Sequence, residues 1–338
     1  MLPMPTLSLR IEVVRSNTKG LGAMSLASAT VIAETLLRHY SDVVVTNIDN
    51  ESDLRALITR KPDLAFLGMY FVPSDSEQGS KIWLSDMLEK NSIRYTGSSE
   101  FSHRLGLNKQ LAKQRIIESG LKTSPFQIIR LQNPDIVDQG SLSFPLFVKP
   151  SNKGGGLGID EFSVVRTVQE LRSKVASIHE LQNTDALIEE FLNGREFSIA
   201  IIGNHDTNNL TAMPIELVAA EDSNGERMLS KVVKSANTER VLEVSNATER
   251  FLLKSFAIDV FNALGARDYG RIDVRFDALG VPHFLEANLI PSLIDGYGSF
   301  PKAYTLNLGL DYDTMLMHIV RLALGRVPTT NPIVSGVY

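Results

Sequence analysis

The sequence predicts an α/β protein whose N-terminal part is a parallel sheet and whose C-terminal part holds a half-buried β-hairpin. Three patterns predict it. Apolar β-branched runs alternate with helix-period segments over residues 9–90, which means parallel β-α-β units. A glycine run at 151–158 separates two apolar runs. The stretch 269–291 alternates apolar and polar residues on both sides of a turn at 277–280.

Taken in order, strands are expected at 9–14, 42–48 and 63–68, with helices at 25–38, 51–60 and 79–90. The loop 69–78 would lie at the carboxyl end of a strand, where such sheets bind ligands. GLGAMS at 20–25 gives only G-x-G-x-x-S, so a nicotinamide site is weakly supported and would leave the C-terminal acids unexplained. A helix at 108–119, closed by Gly120, puts Lys109 in its first turn, where the helix dipole favours an anion instead. Strands at 144–150, ending near Lys149, and 160–166 flank the glycine loop, whose amides can wrap phosphate oxygens. The G-x-x-x-x-G-K-[ST] motif is absent. Next come LIEEFL at 187–192, a strand at 194–202, a polar loop at 220–237 with Lys231 and Lys234, a helix at 245–264, the hairpin and a last helix at 312–325.

Side chains two apart on a strand share a face, so Arg271 and Asp273 point one way, as do Glu286 and Asn288. Two carboxylates and an amide oxygen are hard ligands suited to Mg²⁺. An arginine beside them can hold the charge of a transferring phosphoryl group.

Composition narrows the partners. The chain has 338 residues, room for two or three compact units, with 43% hydrophobic and 22% charged content. A net charge of −5 and a pI near 5.8 argue against a nucleic-acid surface and for small-molecule or protein partners. Without cysteine there is no disulfide framework, thiolate nucleophile or Cys-type zinc site. The six histidines, at 39, 103, 179, 205, 283 and 318, lack ligand spacing. No apolar run approaches the roughly 18–20 residues of a membrane span. The first ten residues lack the layout of a secretion signal, so a cytoplasmic protein is expected.

Six collinear blocks, YTGSS at 95–99, NK at 108–109, FVKPSNKGGGLG at 147–158, LIEEFLNGREF at 187–197, GRIDVRFD at 270–277 and LEANLIPSL at 285–293, resemble the ATP-grasp superfamily and within it the D-alanine–D-alanine ligases. The resemblance implies an N-terminal α/β domain (1–100) and an α+β ATP-grasp part of two subdomains, a central lid (101–190) and a C-terminal unit (191–338), with ATP between the last two. It implies that Lys109 and Lys149 meet the phosphates while the loop with Ser151, Gly154, Gly155 and Gly156 closes over them. Glu189, Glu190, Phe191 and Leu192 would form the adenine edge, with backbone groups of the last three reading the base. Glu196 would take the ribose hydroxyls, and Lys231, with Lys234 as the alternative, a further nucleotide contact. Asp273, Glu286 and Asn288 would hold two Mg²⁺ ions, replaceable by Mn²⁺. Arg271 and Lys149 would act on the transferring phosphoryl group. Arg271 and Ser299 would hold the carboxylate of an incoming amino acid. The implied reaction phosphorylates a carboxylate with ATP and lets an amine displace phosphate. A homodimer is the accompanying expectation.

The departures fall on the first-substrate pocket. Leu21 stands where the family presents a glutamate to an ammonium, Gly155 and Gly156 where it has serines, Gly68 near its histidine, and 228–237 in place of its acidic-aromatic-lysine-tyrosine loop. Retained ATP chemistry with another acyl donor is therefore expected, in an amino-acid ligase making a dipeptide or natural-product amide. The competing readings are a D-alanine–D-alanine ligase with other pocket residues, an imine-forming ligase of the mycosporine type, and a catalytically silent nucleotide-binding partner.

Overall fold

The computed structural model describes residues 7–18, 24–77, 79–133, 142–152, 156–204, 209–221, 225, 227–229, 233, 236 and 238–326. The N-terminal strands β1 (Leu7–Arg15), β2 (Tyr40–Asn47), β3 (Leu64–Leu67) and β6 (Arg94–Tyr95) form a parallel sheet in the order β2-β1-β3-β6. Its crossovers are the helices α1 (Leu26–Leu36) and α2 (Glu51–Arg60), capped by the side chains of Ser25 and Asn50.

The expected helix over 79–90 is shorter. Residues Lys81–Trp83 instead form β5, paired with β4 (Phe71–Pro73), and α3 begins only at Leu84. Lys-Ile-Trp fits a strand because Trp83 packs on Phe71, with ring centroids 5.3 Å apart. The expected strand over 160–166 shrinks to β9 (Val164–Val165). The Asp160 carboxylate accepts the Phe162 N–H at 3.1 Å, and this local turn competes with the ladder.

Two antiparallel sheets follow. The first, β7-β10-β8-β9, joins β7 (Phe126–Ile129), β10 (Ala186–Glu190) and β8 (Leu146–Pro150). One face, with Val148 and Ile188, packs on α6 (Val168–Gln182) through Leu171 and Ile178. The second runs β13-β12-β11-β14-β15, built from β13 (Arg240–Glu243), β12 (Asn209–Val218), β11 (Glu196–Asn204), β14 (Asp268–Phe276) and β15 (Pro282–Asn288). Its odd face on β11 and even face on β14, Phe197, Ile199, Ile272 and Val274, packs against α7 (Ala247–Ala263). Leu105 of α4 (Glu100–Leu107) and Ala112 and Ile116 of α5 (Lys109–Glu118) join this same cluster. These two helices, grouped by sequence with the central unit, thus pack on the C-terminal sheet.

The opposite face of that sheet divides in two. Ala200, Ile202, Met213 and Tyr269 pack with α8 (Ser299–Leu308) and α9 (Tyr312–Gly325) in a core shared with Ile11, Val13 and Phe66 of the N-terminal sheet. The remainder is polar. The joint between the two sheets is locked by Asp268, only 3% exposed, which accepts from the Gly97 N–H at 2.9 Å and from Arg326 at 2.5 Å. Arg326 also donates to the Tyr95 carbonyl. Replacing Arg326 with Met leaves Asp268 without its cation and is expected to lower stability by about 3 kcal/mol, read as a lower urea midpoint at unchanged m-value.

Candidate active site

The polar part of the C-terminal sheet is built by register. Arg271 pairs with Asn288 and Asp273 with Glu286 across β14 and β15, while Ser198 of β11 lies opposite Asp273 on the other side. A shift after Asp273 leaves Leu285 as the extra residue, which keeps Glu286 and Asn288 on the face of Arg271 and Asp273. Arg271 holds Asp273 by two parallel bonds, Nε to Oδ1 at 2.9 Å and Nη2 to Oδ2 at 2.8 Å. The Ser198 hydroxyl donates to Oδ1 at 2.7 Å, and the Asn288 amide approaches Oδ2 at 3.5 Å. Burial would lower the Arg271 pKa, but Asp273 outweighs it and the net direction is upward.

The facing sheet supplies the second wall. Lys149 and Glu189 sit on the face of β8 and β10 turned away from α6, since their neighbours Val148 and Ile188 lie in the α6 core. Glu189 is 3% exposed and lies between two lysines, 2.5 Å from Lys149 Nζ and 2.7 Å from Lys113 Nζ. Burial works to raise its pKa, but the two ammonium groups win and hold it well below the usual carboxylate range. Lys109, capped into the first turn of α5 by Asn108, stands 3.6 Å from Glu286. Burial lowers its pKa, partly countered by Glu286. Tyr70 lies near Arg271 and Glu286, and burial pushes its hydroxyl up to about 12.

These walls enclose one cleft. Of the residues expected from sequence, Lys109, Lys149, Gly156, Glu189, Glu190, Phe191, Leu192, Glu196, Asp273 and Glu286 line it. Arg271 and Asn288 stand beside it through their bonds to Asp273. Ser151 and Ser299 do not line it; Ser151 donates its N–H to Asp185 O at 3.0 Å, and Ser299 starts α8. Leu21, Gly154, Gly155, Lys231 and Lys234 lie outside the described residues. Phe147, Ile159, Met228, Leu229 and Leu285 give the cleft apolar walls, with the Phe147 ring 6.3 Å from that of Phe191. At the adenine edge several groups already have protein partners. The Glu189 side chain is taken by lysines, and the N–H groups of Glu190 and Phe191 already donate to Pro125 O and Pro145 O at 3.1 and 3.0 Å. Among the described residues, this leaves the Leu192 N–H of the three backbone donors.

Four contributors went unnoticed in the sequence: Lys113, Ser198, Arg275 and Tyr70. Spacing could have found three. Lys113 is four residues after Lys109 on a helix, Ser198 two after Glu196, and Arg275 two after Asp273 on strands. Arg275 donates to Glu196 Oε2 at 3.4 Å and lies 5.0 Å from the centre of the Phe191 ring.

Comparison with known proteins agrees with this geometry. A family model described as D-ala D-ala ligase C-terminus matches residues 117–321. The uncharacterized protein y4sG of Sinorhizobium fredii is 31% identical over 264 residues, 76% of this chain and 74% of its own. The D-alanine–D-alanine ligase of Chromohalobacter salexigens is 29% identical over 323 residues, covering 94% of this chain and 95% of that one. The crystal structure of D-alanine–D-alanine ligase from Bacillus anthracis complexed with ATP matches with a TM-score of 0.73 at 21% identity, over 94% of this chain and 98% of that chain.

Replacing Arg275 with Lys keeps the charge but loses the planar fork that serves Glu196, Gly194 O and Phe191. Binding of a fluorescent adenine nucleotide is expected to weaken by about tenfold, a loss of one well-made charged contact.

Proposed function

The chain belongs to the D-alanine–D-alanine ligase family of ATP-grasp enzymes, ATP-dependent ligases that form C–N bonds using a divalent metal, and from that premise we propose that it joins an acid other than D-alanine to an amino acid through an acyl phosphate. The observation that carries this is the packing at Gly68. A Cβ there would lie 2.7 Å from Met24 Cβ and from Val14 O, and the Gly68 carbonyl accepts the Met24 N–H at 3.1 Å. The position near the family's histidine thus has no room for a side chain. Together with Leu21, Gly155 and Gly156, this separates an altered donor side from an intact charged face.

In this reading the chain has three units, with α4 and α5 packed on the C-terminal one, and ATP lies between the facing antiparallel sheets. Lys109 and Lys149 meet the phosphates, Glu196 the ribose, and backbone groups of Glu190, Phe191 and Leu192 the base between apolar walls. Lys231 adds a nucleotide contact, and Ser151 and Gly154–Gly156 close the loop. The donor set fits a hard cation: Asp273 and Glu286 carboxylates and the Asn288 amide share one face. These residues would hold two Mg²⁺ ions, or Mn²⁺, and the metal supplies charge neutralisation at the phosphates. A donor carboxylate oxygen attacks the γ-phosphorus of ATP, releasing ADP and leaving an acyl phosphate, while Arg271 holds the developing negative charge. The neutral amine of the acceptor then bonds to the acyl carbon, phosphate departs, and the amine proton goes to solvent. Arg271 and Ser299 orient the acceptor carboxylate. Exclusion of water protects the acyl phosphate from hydrolysis. Homodimeric assembly and a cytoplasmic setting complete the proposal; among the described residues no helix is long and apolar enough to cross a membrane.

ADP release measured over a panel of acids and amines with Mg²⁺ tests the reading. Turnover is expected with an acid–amino acid pair and not with D-alanine alone; efficient use of D-alanine as the only substrate overturns it. Glu286→Gln removes a carboxylate from the proposed metal donor set and is expected to reduce turnover by about a hundred- to a thousandfold, as loss of one group supporting the transition-state charge does. Gly68→His is expected to create no D-alanine activity and to lower stability by about 1–3 kcal/mol through overpacking, measured by thermal unfolding.

A further inference from the structure

Lys113 has no part in the chemistry above, although it is completely buried and sits one turn beyond Lys109 on α5. Its Nζ lies 2.7 Å from Glu189 Oε2 and donates to the Thr123 hydroxyl at 2.6 Å. That hydroxyl gives its own proton to the Phe284 carbonyl of β15 at 2.7 Å. The ring of Phe126 on β7 lies 5.5 Å from the ammonium. One lysine thus ties α5 to both sheets that form the cleft. It is not itself among the residues lining the cleft.

We propose that Lys113 is a positioning residue of the nucleotide cleft: it keeps the Glu189 carboxylate fixed and charged, so that Lys149 can leave Glu189 for a phosphate without stranding a buried anion. This inference rests on reading the cleft as an ATP site. Lys149 Nζ lies 2.5 Å from Glu189 Oε1, so a shift of the ammonium toward a phosphate weakens its contact with that carboxylate. The charged groups around Glu189 are Lys113 and, more remotely, Lys109 from α5, and Lys149 from β8. Glu190 on the same strand turns its carboxylate to the Ser143 N–H at 2.9 Å. With Lys113 in place, Glu189 retains a cation after Lys149 departs. Without it, departure leaves a buried carboxylate that must take a proton from solvent or hold Lys149 back.

The test is calorimetric titration with ATP and Mg²⁺, in the absence of acid and amine, in two buffers of different ionisation enthalpy. Against wild type, Lys113→Met is expected to bind ATP at least about tenfold more weakly at pH 8. The gap should narrow by up to about tenfold per pH unit on lowering the pH, with uptake of about one extra proton on binding. Equal affinity and equal proton uptake from pH 6 to 8 overturn the inference while leaving the ATP site standing. If wild type binds no ATP, the site reading falls and takes this inference with it. Where Lys113→Met does not fold, Glu189→Gln is compared with Lys113→Met/Glu189→Gln. With the carboxylate gone Lys113 has nothing to hold, so the two are expected to bind ATP within about twofold; a tenfold loss in the double variant overturns the inference.

Discussion

The cleft is organised by mutual neutralisation of charges that come from different elements. Glu189 lies between Lys113 and Lys149, Lys109 faces Glu286, Arg271 grips Asp273, and Arg275 reaches Glu196. Ionised groups in a low-dielectric site persist only when paired, because the cost of desolvating a lone charge exceeds what a fold can absorb. The pairs therefore hold the two sheets in place before any ligand arrives. On the proposed reading, a nucleotide with its metal enters by exchanging partners: phosphates take lysines, and cations take carboxylates. Neither ligand alone can satisfy both sides of such an exchange.

That arrangement follows from where the alternation of each sheet is spent. The second face of β10 and β8 and the odd positions of β14 carry Glu189, Lys149, Arg271, Asp273 and Arg275, which cannot join a dry core. On the opposite faces Val148 and Ile188 pack on α6, and Ile272 and Val274 pack on α7. Each sheet is thus anchored from behind by its hydrophobic face, while its polar face is left to line a gap. The gap keeps its shape because Thr123 and Lys113 stitch α5 to β15 and β10 at its floor.

Much of this was legible in the sequence, for identifiable reasons. The hairpin at 269–291 declared itself because period-two alternation fixes faces, and the register placed Asp273 directly opposite Glu286. The helix 51–60 and the helix 312–325 were visible in the sequence, and the structure adds their caps, Asn50 and Asp311. The helices 100–107, 168–182 and 299–308 and the strands 126–129 and 209–218 were not read, since their patterns compete with turn-forming neighbours or rely on tertiary pairing. Lys113 escaped because a single lysine in a helix reads as solvated; only the fold shows that it points inward to a carboxylate more than seventy positions away. The state of Glu189 was hidden for the same reason. Alternation puts it on one side of a strand, but only the partner sheet and helix decide what it meets.

On the proposed reading the donor side is governed by a different kind of constraint, contact distance rather than charge. At Gly68 the strand end, the Met24 backbone and the Val14 carbonyl approach so closely that contact distance, not charge, sets what can be accommodated. A charged face tolerates any ligand that supplies the opposite charge at the right place, so its chemistry can be deduced from residue types. A steric boundary excludes by shape, and shape depends on how the α1 entry segment rests on β3. Since Met24 donates to Gly68 O, moving that segment to admit a larger residue would break a backbone bond as well as displace a side chain. On the proposed reading the donor pocket is thereby tied to the packing of the N-terminal sheet, independently of the ion pairs assigned to the phosphates. Changes in the acid accepted can accumulate there without disturbing the charges on which phosphoryl transfer depends.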